Sequence, residues 1–287
     1  MLSIGPILVL LLISTLRIAD GTHTSSFKDG ICDSGEEQSP IDIETRGVIE
    51  IQNAQPIVFI NYEHTNLTAS LGSHTVKLTP SHDKSAGLGA GGIRNYYVLD
   101  SIHFHWGSEH TIDGERFPLE AHFVHYNSLY YPNIEKAFSD PGGLAVVAVL
   151  FRQGDPNNAI ESLKSAIDRL LDGRNRDGHT SLHPDALLPK DTSAFYRYHG
   201  SLTTPPCTES VIWTVIQAPL SVSSSQVAWF QSLSLADGKH HSSNYRPVQP
   251  LNGRYVELHL PIYTNNAFIQ HPCINLLLII LLIVFEI

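Results

Sequence analysis

Short apolar or alternating runs recur along the middle of the chain, at 57–60, 75–78, 96–106, 119–126, 144–151 and 211–216. They are rich in Val, Ile, Phe and Tyr and are bounded by Gly, Pro, Asn and Asp, so they read as strands. The run at 144–151 is apolar on both faces, which predicts a strand inside the protein. Helical spacing stands out at 159–171, where Ile160, Leu163, Ile167, Leu170 and Leu171 share one face. A second, weaker helix is predicted over 223–233. The Pro-, Gly- and Asp-rich stretch 172–191 reads as a surface excursion. Nothing marks a repeat or an internal boundary, so one sheet-centred domain is expected.

The two ends depart from this pattern. Residues 1–21 hold a short apolar run followed by Arg17, Ala19, Asp20 and Gly21, the form of a secretory signal peptide. The far end, 266–287, is almost purely apolar after Cys273 and follows the small residues Asn265, Asn266 and Ala267. A short greasy tail behind small residues is the pattern of a glycolipid-anchor signal, with Asn265 as the attachment residue; a retained short membrane tail and a core or interface helix are the alternatives. The expected mature domain is therefore 22–265, secreted or held on the extracellular face of the plasma membrane.

Composition sharpens this. The chain of 287 residues carries a formal charge of −10, which disfavours a general nucleic-acid binder needing clustered Lys and Arg. Removal of the tail leaves Cys32 and Cys207, an even pair in a chain bound for an oxidising compartment. A disulfide between them is expected, with two buried thiols as the alternative. In the same compartment Asn66-Leu67-Thr68 is a glycosylation acceptor.

The chain holds 16 His, and only their spacing carries meaning. In the run Ser101-Ile102-His103-Phe104-His105-Trp106, strand alternation points His103 and His105 from one face. A third imidazole lies in Leu119-Glu120-Ala121-His122-Phe123-Val124-His125-Tyr126, where Glu120, His122 and Val124 share a face opposite His125. Three neutral nitrogen ligands with an open fourth position make a catalytic zinc site, whereas a structural site is closed by a fourth protein ligand. His125, on the other face, reads as a hydrogen-bonded core or surface residue.

These runs resemble the alpha carbonic anhydrases. The resemblance rests on His103-Phe104-His105-Trp106-Gly107, Ser108-Glu109-His110-Thr111, Glu120-Ala121-His122-Phe123-Val124-His125 and Gly200-Ser201-Leu202-Thr203-Thr204-Pro205-Pro206-Cys207. Gln38-Ser39-Pro40-Ile41 and Asn244-Tyr245-Arg246-Pro247 add two further landmarks, all in family order. The resemblance implies a mixed α/β single domain around a central twisted, mostly antiparallel sheet with peripheral helices. It implies zinc at His103, His105 and His122, and reversible hydration of carbon dioxide to bicarbonate and a proton by a zinc-bound hydroxide. Sulfonamide-type and anionic inhibitors are implied in the same way.

Roles follow by resemblance, residue by residue. Thr203 and Glu109 orient the attacking oxygen, Glu120 fixes the tautomer of His122, and Asn244 supports the ligand cluster from behind. Thr204 lines the mouth of the site. Val124, Val146, Leu202, Val211 and Trp213 form the apolar wall that a small uncharged substrate requires. His74, in Gly72-Ser73-His74-Thr75-Val76, is the proton shuttle, in preference to His64. The chain departs from the family where Ser101 replaces a Gln that supports the first zinc ligand. It departs again over 22–37, where Phe27 is the only aromatic residue. The rival reading is a catalytically weak, carbonic anhydrase-like binding or adhesion protein.

Overall fold

A computed structural model describes residues 31–81, 86–174 and 177–262. The expected signal peptide at 1–21, Asn265 and the tail at 266–287 lie outside the described residues. No described helix is long and apolar enough to cross a membrane.

The body is a 12-stranded mixed sheet. Its main path runs Ile49–Ile51, Glu257–His259, Phe195–Gly200, Val211–Ile216, Leu144–Gln153, Leu119–Asn127, Ile93–Trp106, Val76–Pro80 and Leu67–Leu71. Most pairings are antiparallel. Leu144–Gln153 instead lies parallel to Val211–Ile216, and Glu257–His259 parallel to Ile49–Ile51. This is the central, mostly antiparallel sheet that the resemblance implies.

Alternation along the central strands divides the core between two faces. In Leu144–Gln153, the side chains of Ala145, Val147, Val149 and Phe151 join one cluster, and Leu144, Val146, Ala148 and Leu150 join the other. All eight are buried, as expected of a strand covered on both sides. The helix Asn158–Leu171 closes the first face. Asn157 caps it, its side chain accepting from the Ala159 and Ile160 amides at 2.9 and 3.2 Å. Ile160, Leu163 and Ile167 are buried as the spacing predicts, whereas Leu171 in the last turn is 55% exposed, where the helix end outruns its packing surface.

The helix Ser224–Ser232 starts with a capping box between Ser223 and Gln226. It presses Phe230 onto Phe104 and Trp106, with ring centroids 5.4 and 5.6 Å apart. Those two aromatics alternate with His103 and His105 on one strand, so this packing holds the histidines on the opposite face.

The stretch 172–191 departs from the expected excursion. It contains the short helix Pro184–Leu187 and buries Leu182, Pro184 and Leu187. The Thr180 hydroxyl and amide both donate to the Leu67 carbonyl, at 2.8 and 3.1 Å, and tie the segment to the sheet edge. Isolated leucines without a helical or strand period gave no sign of this.

Candidate metal centre

Register brings the three histidines together. His103 pairs with His122 and His105 with Glu120 across the neighbouring antiparallel strands. Residues opposite one another in such a pair project from the same face, so the alternation within each strand converges on one point. The ring centroids lie 5.1 Å apart for His103 and His105, 5.1 Å for His103 and His122, and 4.7 Å for His105 and His122. One ligand nitrogen from each falls within 4.8 Å of the others.

Two of the three rings are held by their other nitrogen. His105 Nδ1 donates to the Asn244 carbonyl at 2.9 Å, and His122 Nε2 donates to Glu120 Oε1 at 2.6 Å. His105 Nε2 is left buried with no hydrogen-bond partner. A buried unpartnered nitrogen is costly unless something else satisfies it. Three imidazoles sharing a point, with the second nitrogens of His105 and His122 already engaged, form a donor set that fits a zinc ion. Burial, reinforced by the facing His105 and His122, holds His103 well below the ordinary imidazole range. A neutral ring keeps the lone pair that a metal ligand needs.

Behind His122 lies a polar chain that the sequence reading left unassigned. Glu120 Oε1 also accepts from His110 Nδ1 at 2.6 Å, and Glu120 Oε2 accepts from the His110 amide at 2.9 Å. His110 Nε2 meets the Tyr198 hydroxyl at 2.7 Å, and Tyr198 donates onward to Ser39 Oγ at 2.9 Å. Burial alone would raise the Glu120 carboxyl, but His110 and His122 together outweigh it and hold Glu120 well below the usual range. The motif around Ser108–Thr111 contained His110 and the Gln38-Ser39-Pro40 landmark contained Ser39. Which carboxylate His110 faces is a tertiary fact.

Glu109 sits over the cluster, and only about 1% of it is exposed. Oε1 accepts from the Arg246 amide at 2.9 Å. Oε2 lies 3.5 Å from His105 Nε2 and 3.9 Å from His122 Nδ1, without a hydrogen-bond partner. Thr203 is buried, but the expected Thr203–Glu109 hydrogen bond is not formed among the described residues.

The two sequence landmarks meet here. Arg246 Nη1 donates to Gln38 Oε1 at 2.9 Å and the Ser39 carbonyl at 2.7 Å, and Nη2 to the Cys32 carbonyl at 2.6 Å. Cys32 and Cys207 are joined in a disulfide, with Cα atoms 5.0 Å apart. Asn244 Nδ2 donates to the His74 and Phe104 carbonyls at 2.8 and 2.9 Å, and its Oδ1 accepts from the Trp106 amide at 2.8 Å. Ser101 turns its hydroxyl to Asp100 at 2.9 Å.

The expected apolar wall falls into one layer. Val124, Val146 and Trp213 stand in register across three strands, and Val211 shares their cluster with Leu202 packed against it. The Trp213 ring lies 4.9 Å from that of His122. His105 and His122 are buried, while His103 is partly open and Thr204 and His74 are exposed. His64 is exposed beside Glu63, and Asn66 is exposed. His125 lies buried on the opposite face, within 2.6 Å of the Tyr62 hydroxyl and 3.1 Å of the Ala145 carbonyl, which decides for the core over the surface.

A mixed sheet carrying a three-imidazole cluster above a buried apolar layer defines a class of proteins able to hold a metal ion there. Within that class, the model of the eukaryotic-type carbonic anhydrases matches residues 22–259. Carbonic anhydrase 6 of Mus musculus is 39% identical over 241 residues, covering 78% of this chain and 73% of that protein. Carbonic anhydrase 1 of Monodelphis domestica is 36% identical over 236 residues, covering 78% and 89%. Carbonic anhydrase 7 of Homo sapiens is 35% identical over 235 residues, covering 78% and 88%. The chain belongs to the carbonic anhydrase family, whose reaction is the hydration of carbon dioxide.

Proposed function

We propose that this chain is an active carbonate dehydratase that hydrates carbon dioxide reversibly at a zinc ion held by His103, His105 and His122. The observation that carries the reading is the buried, unpartnered Nε2 of His105 in a three-histidine cluster where the second nitrogens of His105 and His122 are engaged. Zinc bound there would act as a Lewis acid, lowering the pKa of a water so that it reacts at neutral pH.

The protein's own groups then divide the remaining work. Glu120 keeps His122 in the tautomer that offers Nδ1, and the Asn244 carbonyl keeps His105 offering Nε2. Glu109 Oε2, fixed as an acceptor, stands ready for the Thr203 hydroxyl, which orients the attacking water. Val124, Val146, Leu202, Val211 and Trp213 exclude water and accept a small uncharged molecule without a hydrogen-bonding pocket. Hydration releases one proton for each bicarbonate formed, and His74 at the exposed rim carries it to buffer. Sulfonamides and small anions are expected inhibitors, as in the family.

The same proposal places the protein in the secretory pathway. The Cys32–Cys207 disulfide and the exposed Asn66 in an Asn-Leu-Thr triplet support it. Attachment through a glycolipid at Asn265 completes it, and release of active protein from membranes by an anchor-cleaving phospholipase tests that part.

Stopped-flow carbon dioxide hydration, with zinc quantified on the same sample, tests the activity. One zinc per chain with fast hydration, both lost in His122→Ala, is expected. Zinc bound without hydration would overturn the enzymatic reading in favour of a binding protein.

A further inference from the structure

Outside the central cluster, His74, Asp237 and His241 bring one ligand atom each within 4.8 Å of one another. They come from two separate loops, and the frame between those loops is pinned by backbone contacts. The Ala236 amide donates to the Gly72 carbonyl at 3.0 Å, and Asn244 Nδ2 donates to the His74 carbonyl at 2.8 Å. The His241 carbonyl accepts from Trp106 Nε1 at 2.7 Å. The two loops are thus tied to each other, and through Trp106 to the strand that carries His103 and His105.

The side chains are arranged as ligands are. His241 Nε2 and Asp237 Oδ2 stand 3.0 Å apart. Two atoms each ~2.0–2.1 Å from one tetrahedral zinc are separated by about 3.3 Å, so this spacing needs little adjustment. Asp237 Oδ1 already accepts from the Lys239 amide at 2.9 Å, which orients the carboxylate and leaves Oδ2 facing the histidines. That same hydrogen bond, first among the causes, holds the Asp237 carboxyl below the usual carboxylate range. The His74 ring stands edge-on to His241 at 6.2 Å between centroids. Being exposed, it closes the remaining distance by rotating about its own side-chain bonds.

We infer that His74, Asp237 and His241 form a second divalent-cation site at the rim of the active site, suited to zinc or copper(II). Two imidazoles and one carboxylate are the donors that borderline transition metals take, and hard cations such as Mg2+ or Ca2+ prefer oxygen alone. Occupation of the site engages a lone pair of His74. If His74 exports protons as proposed above, a metal there slows turnover without displacing the catalytic zinc; this consequence rests on that reading, while the site itself does not.

The test uses zinc-loaded protein, freed of excess metal and titrated with Cu2+ under electron paramagnetic resonance. One further Cu2+ per chain is expected, with nitrogen hyperfine structure from two imidazoles and zinc retained at one per chain. Loss of a ligand costs at least as much as loss of a ligand's hydrogen-bond partner, about 10- to 100-fold in affinity. His241→Ala and Asp237→Asn should each weaken the Cu2+ site by at least about tenfold, and His64→Ala should not. Equal affinity and equal spectra in the wild type, His241→Ala and Asp237→Asn would overturn the site. Hydration by the wild type should slow as Cu2+ binds, and hydration by His241→Ala should not at the same concentration. Copper bound as described without slowing would leave the site standing and overturn the shuttle role of His74.

Discussion

The His105 ring donates from Nδ1 to the backbone carbonyl of Asn244, 2.9 Å away and 139 residues further along the chain. A carbonyl can only accept, so this contact fixes the tautomer and leaves Nε2 with its lone pair turned into the cluster. Glu120 does the converse for His122, engaging Nε2 and freeing Nδ1. The two supports differ in kind: one is a backbone group that mutation cannot remove, the other a buried carboxylate that it can.

That difference makes Glu120 the place to weaken the metal site selectively. Glu120→Gln keeps an acceptor for one histidine but loses the charge that serves both His110 and His122. Zinc affinity, measured by chelator competition on the folded protein, is expected to fall about 10- to 100-fold. Unchanged affinity would mean that the carboxylate supports the fold and not the ligand.

The apolar layer admits a test that spares the metal. Val146 lies between Val124 and Trp213 in register, and only about 2% of it is exposed. Val146→Phe adds a ring where the small substrate is expected to settle. Zinc content should stay at one per chain, while kcat/KM for hydration should fall by about 10²-fold or more, the scale of a 1 Å misplacement of reactants. Near-normal kcat/KM would remove this layer from the substrate path.

His74 is predicted to matter for proton export alone. In His74→Ala, maximal hydration turnover should fall by roughly 10²-fold, and added imidazole buffer should restore it. Isotope exchange between carbon dioxide and bicarbonate at equilibrium, which needs no net proton release, should be unchanged. His64→Ala should behave as the wild type because the exposed His64 side chain stands beside Glu63, 3.6 Å away on the surface.

Much of the site was legible because strand alternation is local. Residues 103 and 105 must share a face, and 120, 122 and 124 must share another, whatever the fold. That the two faces are one depended on the His103–His122 register, which no single strand encodes. The His110–Tyr198–Ser39 chain was hidden for the same reason, since its members come from three distant segments. The strand Phe195–Gly200 escaped notice because Arg197 and His199 interrupt its apolar pattern, although Arg197 is buried. The strand Gly87–Ala90 is half glycine and carries little β-propensity. The buried leucines of 172–191 have no period, and only their partners across the sheet edge explain them.

His125 links the core to pH. It is fully buried on the face opposite the metal cluster, and burial lowers its pKa from 6.5 to about 3, against smaller upward effects of backbone hydrogen bonds. The folded protein therefore keeps this ring neutral at pH values where the unfolded chain protonates it. The unfolded state binds more protons between about pH 6.5 and 3, so stability is full above 6.5 and declines as pH falls through that window. At pH 5 the loss from this one residue is about 2 kcal/mol relative to pH 8. His125→Gln removes the titrating group and keeps a carbonyl acceptor for the Tyr62 hydroxyl. Urea unfolding of both proteins at pH 8 and pH 5 should show that the variant, though less stable at pH 8, loses about 2 kcal/mol less on acidification. Every other titrating group is common to both proteins, so the difference between the two isolates His125. An identical decline in both would mean that His125 is already neutral in the unfolded chain or charged in the fold, and the desolvation argument would fail.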